Sequence, residues 1–403
     1  MRQAAVAQSF AQELASGAWL SPSAARFAAW AMSAGTVISL ALLFLHSHGL
    51  LDYAGRPLGT DFSCFWSAGL MALQGQAPQA YDWNALFAVQ HQIFGTEKLS
   101  PWSYPPLFLL LASLFATMPY LVAYFAWQGA SLAVAGFAYW KILPFRSALL
   151  FGFGFPAVLI CLGHGQNGFL TAALMAGGLL ALRRQEILAG VLFGLLAYKP
   201  QFGLLLPLAL AVRGYWRAFA AAAATVVATI GVTLLIWGWP VWQAFFDSLP
   251  LTRGIVLEAG DTGFQKLQSI FAWVRLWHGS VTLGYALQTI VAIGVTVATI
   301  WIWRSRVSFS LQAAALILGS LLVSPYMFDY DFVVFGMALA FLFAHGLQNG
   351  FRPWDRTLIA FAWFMPVLAR TVAKTAYLPI GFLTLAAIFV LIVLRAREEQ
   401  AVR

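Results

Sequence analysis

The chain has 403 residues, 61% of them hydrophobic and 9% charged, with a mean hydropathy of +0.80. Soluble domains carry roughly a quarter charged residues, so this composition excludes one and indicates a polytopic helical membrane protein. The net charge of +9 comes from short basic pairs in loops rather than from a basic stripe, so retention of Lys and Arg on the cytoplasmic side explains it and no nucleic-acid partner is expected.

The first span is expected over residues 27–47; it lacks a small-residue cleavage signature and reads as a retained signal anchor. A loop over 48–103 follows, carrying Asp52, Arg56, Asp61, Asp82, Glu97 and Lys98. Within it, 61–74 and 83–94 have the pattern of helices lying in the interface, the second through Trp83, Leu86, Phe87, Gln90 and Phe94. Tyr104-Pro105-Pro106 opens an apolar region that runs to Trp140. Further spans are expected at 147–162, 168–182, 187–198, 201–212 and 216–237, then a second outer loop at 239–280. The last fall at 281–303, 309–323, 332–345, 357–370 and 376–394. The reading is an all-α single domain over 1–403 with about twelve transmembrane helices, several short enough to be tilted, broken or re-entrant. Cys64 and Cys161 stand in no metal or redox spacing and read as packing residues.

Charge orients the chain. If 107–118 dips without crossing and 187–212 folds back at Lys199-Pro200, then Lys141, Arg146, Arg183, Arg184, Arg213, Arg217, Arg304, Arg306, Arg352, Arg356, Arg395 and Arg397 share the cytoplasmic face. The alternative, a crossing 107–118 and one long interrupted span, moves Lys141, Arg146, Arg183 and Arg184 outside; the positive-inside rule favours the first. Both put Asp61, the 239–280 loop and 324–331 on the outer face.

Four polar clusters interrupt the apolar background: Asp52 with Asp61; Gly163-His164-Gly165-Gln166-Asn167; Lys199-Pro200-Gln201; and Ser324 to Asp331. Ionisable groups at membrane depth are costly, which makes each a functional candidate. Asp61 is either an N-cap for a helix starting at Phe62 or a general base that takes a proton from a sugar hydroxyl. Asp52 reads as a solvated loop residue and Asp82 as the cap of the helix after it. Lys199 either snorkels or meets a phosphate at the helix break that Pro200 makes. His164, Gln166 and Asn167 either satisfy a tight turn or contact sugar hydroxyls, and His164 lacks the neighbours of a metal site. Asp329 and Asp331 read as caps and Tyr326 and Tyr330 as aromatic-belt residues, with Asp329 and Tyr330 the alternative second polar group of the site. In the 239–280 loop, one or two of Arg253, Lys266 and Arg275 are candidates for a phosphate.

Several short motifs occur in order: Asp61-Phe62-Ser63-Cys64-Phe65-Trp66, Gly75 with Tyr81-Asp82, Tyr104-Pro105-Pro106, Gly165-Gln166-Asn167, Gly190 and Gly194 with Lys199-Pro200, and Ser324-Pro325-Tyr326. Over roughly residues 50–335 they resemble the bacterial polyprenyl-phosphate-mannose-dependent mannosyltransferases of the GT-C class. The resemblance implies a GT-C-type fold with its site on the outer face of the plasma membrane, a polyprenyl-phosphate sugar donor that is substrate rather than cofactor, and an inverting transfer to a lipid or glycan acceptor. It places the catalytic carboxylate on Asp61. Where the family often has a His after its Ser-Pro element, this chain has Tyr326, Met327, Phe328, Asp329 and Tyr330. The expectation is a hexosyltransferase, with mannose the sugar implied, Asp61 as base, Lys199 on the donor phosphate and His164, Gln166 and Asn167 on the sugar. The alternative is a transporter or lipid-linked-sugar flippase, although the paired halves common in transporters are not evident.

Overall fold

The structure, a computed structural model, describes residues 11–402. Among these the chain is helical throughout, with three isolated β-bridges and no strand. Six helices are long and apolar enough to cross a membrane: Pro22–Leu45, Tyr120–Ile142, Trp216–Trp237, Val281–Arg304, Asp329–Asn349 and Ile380–Ala401. A seventh is added if Asp355–Phe364 and Pro366–Ala376, bent by 72°, count as one. Six shorter apolar helices lie between them. The expected count of about twelve included four of these short runs, 168–182, 187–198, 201–212 and 309–323, as spans, whereas 61–74 was expected in the interface and 107–118 to dip without crossing. At 1.5 Å per residue the 24 residues of Pro22–Leu45 reach about 36 Å, whereas the 11 of Pro106–Ala116 reach about 17 Å, too short for a hydrocarbon layer of about 30 Å.

Local chemistry sets the helix ends. Ser21 and Ser280 each accept a backbone N–H of the helix they open, and Pro22 occupies a first-turn position that needs no donor. Asp82 caps Trp83–Phe94 as expected, its Oδ1 accepting from Asn84 N at 2.9 Å, and Gly95 ends that helix with φ 66°. Phe62–Leu73 differs from the interfacial helix expected there: nine of its residues are buried, and Gly69 lets it approach the backbone of Pro106–Ala116 at Ala112. Its core-facing positions nearly encircle it, which a surface helix cannot offer. The predicted span at 357–370 falls on the bent pair, where Pro366 starts a new helix at the bend. The 239–280 loop is itself largely helical, containing Trp239–Thr252 and Ile270–Leu276.

The chain reverses at Lys199. Gly190 of Glu186–Leu195 lies against Ala218 and Ala221 of Trp216–Trp237, while Gly194 lies against Ala222 and Thr225. Position numbers rise together, so the two helices are parallel, and the segment between them (Pro200–Gly203, then Leu206–Arg213) must run back. This is the fold-back that the charge argument favoured.

The polar contacts fall at two ends of the bundle. At one, Trp354 N–H donates to Ala15 O at 2.6 Å, Trp19 Nε1 to Thr357 Oγ1 at 2.8 Å, and Arg395 pairs with Asp355. Between the ends, Phe309–Val323 is enclosed, with Leu311 to Leu322 buried, and packs against Phe332–Asn349 and Val281–Arg304. Gln312 inside it donates to Ser305 O at 3.2 Å, as a buried amide must. The site lies at the other end.

Candidate active site

Asp61 is placed by a turn that begins at Asp52. Asp52 is not a solvated loop residue: it is 6% exposed, and its Oδ1 accepts from Ala54 N at 2.9 Å and Arg56 N at 2.8 Å. Leu58 O accepts from the Tyr120 hydroxyl at 2.5 Å, and Asp61 N–H donates to His164 O at 3.1 Å. That last bond ties the first loop to the turn at 163–167. Gly165 makes the turn with φ 65°, and a Cβ there would lie 2.5 Å from Phe62 Cβ, so the close approach of the two segments requires glycine.

The Asp61 carboxylate does not cap the helix it precedes. It accepts instead from Gln166 Nε2 at 2.8 Å on Oδ2 and from Ser100 Oγ at 3.2 Å on Oδ1. Tyr104 hydroxyl donates to Gln166 Oε1 at 3.2 Å, which fixes the amide so that its NH₂ faces Asp61. The side chain keeps 28% of its surface and opens into a cavity of about 390 Å³, within the range of about 300–1,000 Å³ typical of ligand sites.

His164 stands beside it, with Nδ1 4.0 Å from Asp61 Oδ2 and 2.7 Å from Thr60 Oγ1. Arg370 donates to Nε2 at 3.3 Å; a guanidinium has no acceptor, so Nε2 accepts and the proton sits on Nδ1, toward Thr60. Burial lowers the His164 pKa, with Asp61 opposing and Arg370 adding to the effect, so the ring is neutral at pH 7.

Two ion pairs border the same cavity. Lys199 Nζ lies 2.6 Å from Asp331 Oδ1, with both side chains at most 4% exposed, and 5.0 Å from the Tyr330 ring. Snorkelling is thereby excluded, and the ammonium expected to meet a phosphate is paired with a buried carboxylate. Arg370 Nε lies 2.6 Å from Asp329 Oδ2. Asp331 Oδ2 accepts from Phe328 N at 3.2 Å, and Tyr330 stacks on Phe328 with centroids 5.2 Å apart. Asp331 therefore organises its own turn and holds Lys199, while Asp329 holds Arg370; neither is a simple helix cap.

Of the expected residues, Asp61, His164, Gln166, Lys199, Asp329 and Tyr330 all line this cavity. Asn167 does not: it is fully buried behind Gln166, at the start of Gly168–Ala181, and its carbonyl accepts from Thr171 Oγ1 at 3.1 Å. The cavity also takes in Tyr104, quoted above only as part of a motif, and Ser100 and Arg370, which the sequence reading did not single out. Arg370 had a signal, an ionisable residue in an apolar run, but stood at the end of a presumed span. Of the basic residues at 239–280, Lys266 reaches the cavity, whereas Arg253 pairs with Glu258 at 3.2 Å and Arg275 donates to Glu258 O and Gly279 O. Cys64 and Cys161 are both buried free thiols.

The sequence pattern of glycosyltransferase family 87 matches residues 102–325, more than half of the chain. The chain belongs to glycosyltransferase family 87. It is thus a multi-pass membrane glycosyltransferase, a transferase that uses a sugar donor and an acceptor, and the transporter reading gives way to an enzyme. The matched stretch of this glycosyltransferase contains His164, Gln166, Lys199 and Lys266; Asp61 precedes it, and Asp329 and Arg370 follow it. Searches of curated proteins and of solved structures found no match.

Proposed function

We propose that this glycosyltransferase moves a hexose, mannose in the first instance, from a polyprenyl-phosphate donor to a lipid or glycan acceptor at the outer face of the plasma membrane, through a GT-C-type mechanism. Asp61 is the general base. The acceptor hydroxyl oxygen attacks the anomeric carbon, its proton passes to Asp61, and the C1–O bond breaks with its electron pair going to the phosphate. The donor brings its own leaving group, so one carboxylate suffices and no cofactor is needed.

The observation that carries this reading is the Asp61 carboxylate: held by Gln166 and Ser100, free of any capping bond and open to the cavity. His164 and Gln166 have polar edges on the same wall for sugar or acceptor hydroxyls, and Tyr330, stacked on Phe328, lines the cavity beside them. Asn167 acts from behind as part of the turn that positions Gln166. The Lys199–Asp331 pair forms the wall beside Tyr330.

The test is sugar transfer in membranes that hold equal amounts of wild type or Asp61→Asn, supplied with labelled polyprenyl-phosphate hexoses and an acceptor extract. A loss of about 100-fold or more is expected, the range for a general base. Full activity of Asp61→Asn would remove the carboxylate from the chemistry, and activity with a nucleotide sugar alone would replace the donor class.

A further inference from the structure

Three cations line the cavity, and they are not equivalent. Lys199 is buried and spent on Asp331, and breaking such a pair strands a buried carboxylate. Arg370 spends Nε on Asp329 and one terminal nitrogen on His164, and its side chain keeps 37% of its surface. Lys266 is half-buried, and its ammonium has neither an ion pair nor a hydrogen-bond partner among the described residues. Counting Asp61, the cavity wall therefore carries one uncompensated anion and one uncompensated cation.

Lys266 is not on a loose loop. Gln268 N–H donates to Met327 O at 2.7 Å, and Leu267 bridges to Phe328, which ties its backbone to the turn that bears Asp329. The short helix Phe264–Lys266 also packs on Pro366–Ala376, the helix that carries Arg370. Two cations from separate parts of the chain are thus held on adjoining elements, and both act on His164, the neighbour of Asp61.

We infer that Lys266 and Arg370 form the anion site that takes the phosphate group of the lipid-linked donor. This rests on the donor class proposed above and moves the phosphate from Lys199 to the mouth of the cavity. Lys266 compensates the single charge of the bound phosphodiester. When the C1–O bond breaks, its electron pair adds charge to the departing phosphate, and the remaining donors of Arg370 meet it. Arg370 serves without leaving Asp329, because a guanidinium offers five N–H groups and Asp329 and His164 use only part of them.

The experiment measures binding of a polyprenyl phosphate, with the matching polyprenol as uncharged control, to the purified full-length chain by tryptophan fluorescence. Lys266→Gln and Arg370→Gln should each weaken binding of the phosphate about tenfold, the size of one charge-assisted hydrogen bond, and leave the polyprenol unchanged. Lys266→Arg should keep the wild-type affinity. Because Arg370→Gln strands Asp329, the double variant Arg370→Gln/Asp329→Asn provides a neutral control that should show the same loss. Wild-type affinity for the phosphate in all the Gln variants would overturn the inference and leave the donor class standing. No preference of the wild-type chain for phosphate over alcohol would overturn both. Competition by anionic phospholipid as strong as by the prenyl phosphate would reassign the cations to a bilayer headgroup.

Discussion

Asp61 has a use only if its carboxylate faces the cavity, and Gln166 decides that. The amide is 4% exposed and donates to Oδ2, while its own oxygen is occupied by Tyr104 and by Asn167 N–H at 3.2 Å. Gln166→Leu keeps the volume and removes the donor. A hydrogen bond to a charged group is worth about 1.5–3 kcal/mol, so turnover should fall by roughly 10- to 100-fold, with a smaller change in KM. Initial rates across acceptor concentration read this; a pure KM effect would make Gln166 a substrate contact instead. His164 supports a second expectation, and its sign follows from its lowered pKa. The folded protein binds a proton at this ring less readily than the unfolded chain does, so His164 costs stability as pH falls below about 6.5, and the cost grows toward its depressed value. Asp61 and Asp329 face the ring and oppose this; Arg370 and Lys266 face it and reinforce it. His164→Asn should flatten the loss of melting temperature between neutral and mildly acid pH. An unchanged slope would assign the acid sensitivity to other groups. At this scale the sequence exposed Asp61, His164 and Gln166 because polar residues stand out in an apolar background. It hid Arg370, whose meaning lies in Asp329, 41 positions away, and in a bend that hydropathy does not register.

Helices meet here through small residues more than through matched apolar stripes, which fits a bilayer where apolar surface has no water to escape. Gly190 and Gly194 lie four apart on Glu186–Leu195 and face Trp216–Trp237 so closely that a Cβ on Gly190 would lie 2.6 Å from Ala221 Cβ. Gly190→Val should therefore part the pair and destabilise the protein by about 1–3 kcal/mol, as overpacking does. The parallel alignment fixes where the chain breaks at Lys199, so the variant should also lower transfer activity. Thermal unfolding in detergent checks the first part; an unchanged melting temperature would show that the seam has room the geometry denies. Element positions were largely legible: Trp83–Phe94, Trp216–Trp237 and Phe309–Val323 fall where periodicity and hydropathy put them. Phe62–Leu73 was legible as a helix but not as a core element, because its place in a polar loop says nothing of Pro106–Ala116 packing against it. The C-terminal helix was placed too short, since its last turns carry Arg395, Arg397, Glu398 and Glu399, a charged run that hydropathy does not read as span; Arg395 pairs there with Asp355 and Glu398 with Arg352.

On the scale of the whole molecule, the two ends carry different chemistry. One holds Asp61, His164, Lys266, Asp329 and Arg370 around the cavity. The other gathers Arg352, Arg356 and Arg395 with the segment around Ala15 to Trp19. Because Glu186–Leu195 and Trp216–Trp237 run parallel, the residues that precede each, Arg183 and Arg184 for one and Arg213 for the other, lie on the same side. Positive residues resist translocation, so this end should be cytoplasmic and the cavity should open outward. Single cysteines test it directly in a background with Cys64 and Cys161 replaced by Ser or Ala. A thiol at Arg184→Cys should react with a membrane-impermeant maleimide only after the cells are opened, and one at Asp261→Cys should react in intact cells. Labelling of both from outside would require the segment from Glu186 to Trp216 to cross the membrane an odd number of times, which the parallel helices forbid. Reversed labelling would put the cavity, and with it the lipid-linked donor, on the cytoplasmic face, where a nucleotide sugar would be within reach.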